Sequence, residues 1–181
     1  MMAADYLISS LQPLALDGSA PYTADQFLDL CRSQLSAKDA EAVAAVMANT
    51  PYPHPLAEAW RDLDTQLRNT IAAERARRHG QDVARWRRPV EGCSLFWANR
   101  AAAAFQEKDP ARRERLLDQV RWDAAGELTP PAAPLSTAAV FTYAIRLAIV
   151  LDRVARDAAA GNGVFNRLTA ATKIEFKESH T

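Results

Sequence analysis

The segment that most limits what this chain can become is its longest apolar run, Ala138 to Leu151 (AAVFTYAIRLAIVL), interrupted only by Arg146. A bilayer-spanning helix needs about 20 apolar residues, so the run is too short to cross a membrane. It reads instead as the most apolar helix of a folded protein, with Ser136 placed to cap it and an expected end at about Ala160. Gly161-Asn162-Gly163 supplies the stop, and Val164 to Lys177 can form a last amphipathic helix through Phe165, Leu168 and Thr172.

Helical signals dominate the rest of the chain as well. Thr23 opens TADQFLDLC as a capping box, its hydroxyl accepting from a first-turn amide while Gln26 reaches back. Phe27, Leu28, Cys31 and Leu35 then fall on one face. Ser36 starts a second short helix with Asp39 at the reciprocal position and Ala40, Val43, Val46 and Met47 as its apolar stripe. Asn49 to Pro55 (NTPYPHP) is a breaker, because proline lacks the amide hydrogen and clashes with the preceding turn. Leu56 to His79 reads as one long helix through Leu56, Trp60, Leu63, Leu67 and Ile71, with Gly80 at its C-terminal cap. A shorter helix is expected from about Gln81 to Arg88. Ser94 to Lys108 reads as another, with Leu95, Phe96, Trp97 and Phe105. Asp109-Pro110 opens a further one, with Leu117, Val120, Ala124 and Leu128 in a stripe. Thr129 to Pro134 (TPPAAP) is a stiff linker. The chain is therefore expected to be a single all-α domain over 1–181, a compact multi-helix bundle. Residues 1–22 are read as a short extended arm, since Tyr6 to Leu11 shows no clear period, and 178–181 as a frayed tail.

Composition bounds the function classes. Apolar residues make up 49% and charged residues 24% of the 181, enough for a substantial core. The 22 basic and 22 acidic residues cancel, which works against a general nucleic-acid or membrane-surface binder but leaves room for a local basic patch. Met1 to Leu16 has neither the basic region nor the cleavage site of a secretory signal. The expectation is a soluble, cytoplasmic protein. Cys31 and Cys93, the only cysteines, form no zinc-type pair and are read as reduced, semi-buried thiols.

Motifs for chemistry are missing. Gly161-Asn162-Gly163 follows a helix and has no Gly-Lys-Ser/Thr beside it, so a phosphate loop is not expected. His54, His79 and His180 lack partners at metal-ligand spacing. A nucleophile, base and acid would have to be assembled from these scattered residues. Asp62 and Asp64 point to different sides of a helix and cannot share a proton. No catalytic residue, cofactor or metal is expected.

One charge feature remains. Glu74 to Arg88 (ERARRHGQDVARWRR) holds six arginines against two acids. Arg68, Arg75 and Arg78 can share one side of the long helix, and Arg85, Arg87 and Arg88 follow across Gly80. Three readings stay open: a solvated helix face, a protein dock anchored by Arg and Trp86, or a nucleic-acid surface. Trp122, well away from the stripe of its own helix, belongs either to a broad buried face or to a partner.

Four segments in order resemble the bacterial family catalogued as DUF2764: the opening YLISSLQPLAL with APYTADQFLDLCRSQLSAKDAE; the leucine-arginine-asparagine helix, glycine turn and basic segment of LRNTIAAERARRHGQDVARWRRP; and the D-x-x-R-W-x-x-x-x-E-L helix of RERLLDQVRWDAAGEL. The likeness runs from Tyr6 to about Phe176, with Asp5 and Gln12 departing from the usual pattern of the arm. Genes of that family lie among those for the bacterial V/A-type rotary ATPase, often in the place expected for the helical piece that couples the rotor stalk to the membrane ring. The resemblance therefore implies a non-catalytic helical subunit or assembly protein that joins the central stalk to the membrane ring, held at the inner face of the membrane through the ATPase. Arg68, Arg75, Arg78, Arg85, Trp86, Arg88 and Trp122 are the expected partner-binding residues. The alternatives are a nucleic-acid-binding regulator using the Arg75 to Arg88 cluster and a helical scaffold protein.

Overall fold

The computed structural model describes the backbone of residues 2–90, 92 and 94–178, and the side chains of 4–90, 92 and 94–157. Among the described residues, seven α-helices and one 3₁₀ turn make up the regular structure, and there is no strand. The elements are α1 (Met2–Ser10), α2 (Ala24–Gln34), α3 (Ala37–Ala48), α4 (Pro55–Arg78), the 3₁₀ turn (Val83–Trp86), α5 (Leu95–Ala104), α6 (Pro110–Gly126) and α7 (Thr137–Glu178).

α7 is the post of the bundle. It packs against α1, α2, α3, α4 and α6, and a helix surrounded on so many sides must be apolar on so many sides. Val140, Phe141, Ala144 and Leu147 are completely buried, and between Ala138 and Val150 only Arg146 and Ala148 reach the surface in part. α4 forms a second support, packed against α3, α5, α6 and the 3₁₀ turn. No helix among the described residues is long and apolar enough to cross a membrane.

The caps explain the boundaries. Thr23 accepts from the Gln26 amide at 3.2 Å while the Gln26 side chain accepts from the Thr23 amide at 2.9 Å, the full reciprocal box. Ser36 accepts from the Asp39 amide, and Asn49 closes α3 in the left-handed conformation at φ 54°. The stripes fall inward as expected: Phe27 and Cys31, Val43 and Val46, Trp60 and Leu67, Leu117 and Val120 are all buried.

Four local expectations need correction. The extended arm of residues 1–22 begins as a helix, α1, because Ala4 and Leu7 seat against the core and stabilise a segment with little periodicity of its own. Gly161-Asn162-Gly163 does not end α7, which continues as helix to Glu178, about 63 Å in all at 1.5 Å per residue. Glycine in a helix interior costs only about 1 kcal/mol, which the flanking turns can absorb. The expected amphipathic stripe of Phe165, Leu168 and Thr172 lies outside the residues whose side chains are described, as do Cys93, His180 and the tail beyond Glu178. Ser136 precedes α7 without capping it through its side chain: its hydroxyl makes no hydrogen bond. The segment after Gly80 forms a single 3₁₀ turn rather than a helix to Arg88.

The irregular stretch 11–23 is tied to the body. Tyr143 donates its hydroxyl to the Gln12 carbonyl at 2.8 Å. Asp17 accepts from Arg115 of α6 at 3.0 Å and from Arg153 of α7 at 2.8 Å, so one carboxylate links the linker to two helices.

Candidate partner-binding site

The basic segment is shaped by the end of α4. Gly80 adopts φ +64°, the left-handed conformation that glycine tolerates best. This lets the Gln81 amide donate back to the Ala76 carbonyl at 2.8 Å and the Gly80 amide to the Arg77 carbonyl at 3.2 Å, the two bonds of a Schellman cap. Asp82 then caps the 3₁₀ turn, accepting from the Ala84 amide at 2.9 Å. Asn69, farther up α4, clamps the far end: its amide donates to the Arg88 carbonyl and its carbonyl accepts from the Arg88 amide, both at 2.8 Å. The chain is thus folded back across α4, pinned by backbone bonds at the Gly80 end and by the Asn69 side chain at the Arg88 end. Trp86 sits between the pins, about half exposed.

The arginines divide by what they touch. Arg68 donates to Asp64 at 2.5 Å, and Arg121 of α6 donates to the other oxygen of the same carboxylate at 2.9 Å. Asp64 is buried while Asp62 is exposed, so the two carboxylates do face different sides. Arg75 pairs with Glu114 of α6 at 3.0 Å. Arg78 lies over the buried Phe105 ring at 5.1 Å, with Arg113 over the same ring at 5.7 Å. Trp122 is partly buried beneath Arg146, whose guanidinium lies 4.9 Å from the ring and donates to the Trp122 carbonyl. Arg75, Arg78 and Trp122 therefore tie neighbouring elements together, while Arg68 braces, within α4, the Asp64 carboxylate that Arg121 reaches from α6. Arg85, Arg87 and Arg88 are exposed and have no carboxylate partner among the described residues. Arg85 instead covers Trp86 at 5.8 Å.

A cleft of about 860 Å³ opens between α4, α6 and α7, with Trp86 at one end. Ile71, Ala76, Leu117 and Ala155 give it apolar walls. Of the expected contact residues Arg68, Arg75 and Trp86 line it; Arg78, Arg85, Arg88 and Trp122 do not. Most of its charges are matched internally: Arg156 donates to Asp118 at 2.7 Å, and of the carboxylates that line the cleft Asp152 alone has no ion pair among the described residues. Burial lifts the Asp118 carboxyl above its usual range, and the bond from Arg156 only partly reverses this.

Two other groups have the composition of reactive sites and a different arrangement. Ser36 donates to Asp39 at 2.7 Å, and the other Asp39 oxygen lies 3.1 Å from His54 Nε2. His54 Nδ1 accepts from the Leu56 amide at 3.2 Å, so the ring is the Nε2–H tautomer. Ser36 thus meets the acid and not the base. The cluster joins the starts of α3 and α4, and the ring stacks on Phe141 at 5.0 Å. Cys31 is fully buried, and burial pushes its thiol up to about 12. Among the described residues no group of three or more His, Cys, Asp or Glu is placed to hold a metal ion.

Asn69, Asp64, Glu114 and Asp118 join the site without having stood out as contributors in the sequence. Asp64 and Arg68 carry a legible signal, four apart on one helix; Asn69 stands in the leucine-arginine-asparagine pattern. The partners across helices carry none. No family model, curated protein or solved structure matches the chain.

Proposed function

We propose that this chain works as a non-catalytic helical protein that a protein partner grips at the Trp86 corner. Its proposed setting is the bacterial V/A-type rotary ATPase, as a subunit or assembly protein in the place of the piece that couples stalk to ring. The observation that carries the binding reading is the division of the arginines. Arg68, Arg75 and Arg78 on α4 are engaged in ion pairs or on a buried ring, whereas Arg85, Arg87 and Arg88 have no carboxylate partner among the described residues and lie beside an exposed tryptophan on a segment pinned at both ends. Trp and Arg held rigid on a surface are the residue types that anchor protein interfaces. The ATPase setting rests on the four-segment resemblance. A body of stiff helices linked by buried pairs suits a part that transmits force rather than transforms a substrate.

The test is co-purification. Tagged protein, recovered from its native cell in mild detergent, is expected to bring down central-stalk and membrane-ring subunits. Recovery of the tagged chain with no ATPase subunit would remove the setting. Nucleic acid is the rival occupant of the same arginines; steeply salt-dependent binding of mixed-sequence oligonucleotides, weakened by Arg85→Ala, would favour it.

A further inference from the structure

Resting on that reading, we infer that the partner presents a segment that is apolar on one side and acidic on the other, with apolar side chains entering the cleft beside Trp86 and carboxylates meeting Arg85 and Arg88. Charge decides the occupant. Inside the cleft Arg68, Arg75, Arg121 and Arg156 already satisfy Asp64, Glu114 and Asp118. A free anion placed there would have to displace a carboxylate, so the interior suits uncharged, apolar groups. The walls agree, being built from Ile71, Ala76, Leu117 and Ala155.

The rim differs. Arg85 and Arg88 are exposed and pair with no carboxylate among the described residues, and the Asn69 clamp fixes Arg88 in place relative to α4. A rim of exposed guanidinium groups, with no acid paired to them among the described residues, attracts acid and repels base, which selects the partner and steers its approach. Trp86, half exposed at the junction of cleft and rim, offers a large apolar face at low entropic cost. The combination is that of a groove accepting an amphipathic segment through its apolar face.

The experiment uses the full chain and three short synthetic probes: a helical peptide with leucines on one face and glutamates on the other, a polyglutamate of equal length, and the same leucine peptide with lysines for glutamates. Calorimetric titration at low salt is expected to show binding of the leucine–glutamate peptide alone. Ala155→Trp, which fills an exposed wall of the cleft, and Trp86→Ala are each expected to weaken it by about 30-fold. Arg85→Glu with Arg88→Glu is expected to weaken it at low salt and much less at high salt. Unchanged thermal melting of each variant separates lost binding from lost folding. Equal binding of polyglutamate or of the lysine peptide, indifference to Ala155→Trp, or no binding of the leucine–glutamate peptide would each overturn the inference. So would an oligonucleotide that displaces the peptide from the same arginines. If ATPase subunits co-purify with Trp86→Ala and Ala155→Trp as well as with the parent, the setting stands and this occupant falls. If the peptide binds in the cleft but no ATPase component is recovered, the reverse holds.

Discussion

Arg121 of α6 donates its Nε hydrogen to Asp64 of α4 at 2.9 Å, joining residues 57 positions apart through a carboxylate that is nearly inaccessible to water. Arg68 takes the other oxygen of the same group. Two guanidinium groups on one buried anion form a latch between α4 and α6, two of the helices that flank the cleft.

Asp64→Ala leaves both guanidinium groups without their anion. Their side chains are 39% and 26% exposed and can regain water in part, so the expected loss is about 2–3 kcal/mol, below the ~3–5 kcal/mol of a fully buried pair. Asp64→Leu combined with Arg121→Met is expected to recover most of it, because apolar groups of similar volume replace buried ion pairs at little cost. Urea denaturation measures both. A double variant as unstable as Asp64→Ala would show that the latch has a role in packing that charge removal does not explain.

Asn69→Ala releases the Arg88 end of the basic segment. Two largely exposed hydrogen bonds contribute about 1–2 kcal/mol together, so global stability should fall little. Local opening should rise much more. Trypsin is expected to cut after Arg85 or Arg87 several-fold faster in the variant under native conditions. Equal cleavage rates would mean that the clamp does not order the segment.

Asp118 and Asp17 are both paired with arginine, yet their pH dependences run in opposite directions. Burial raises the Asp118 carboxyl above its ordinary range. The native state therefore binds this proton more tightly than the unfolded chain, where Asp titrates near pH 4. Its favourable contribution is complete below that value and is lost as pH rises through the native one. Asp118→Asn should gain stability relative to the parent as pH rises above about 4. Hydrogen bonds from Arg115 and then Arg153 hold the exposed Asp17 carboxyl below its ordinary range. That contribution is present above about pH 4 and is lost as pH falls through the native value. Asp17→Asn should therefore be weaker than the parent near neutrality and converge with it in acid. Parallel stability curves for parent and variants would contradict both assignments.

Cys31 should be chemically silent in the native state. With its thiol pushed up to about 12 and no exposed surface, it holds little thiolate at pH 8. In a Cys93→Ser background, iodoacetamide should modify Cys31 at least about 100-fold more slowly in the folded than in the unfolded chain. Comparable rates would show that α2 opens readily.

The helices were legible because their signals are local. Thr23 with Gln26, Ser36 with Asp39, Asp109 with Pro110 and Gly80 each act within one turn, and the stripe of Trp60, Leu67 and Ile71 needs only the helical period. α1 is not legible in the sequence, because Leu7 stabilises it through contacts with distant helices, information that Tyr6 to Leu11 does not contain. Gly161 and Gly163 give a stop signal that α7 overrides, because a glycine pair weakens a helix without forbidding it. The basic segment was visible as composition, but its division was not. Glu114 for Arg75 and Phe105 for Arg78 come from outside α4, and only three-dimensional pairing separates them from the exposed Arg85 and Arg88. Trp122 stood out by its angle on α6; its cover, Arg146, comes from α7.

The most direct measurement compares parent chain with Trp86→Ala/Arg85→Glu/Arg88→Glu in the same pull-down from the native cell, at matched expression and matched melting temperature. Central-stalk and ring subunits are expected with the parent and should be depleted at least about 10-fold with the triple variant. Equal recovery with both proteins, or no ATPase component with either, would contradict the proposal that a rotary-ATPase partner grips this corner.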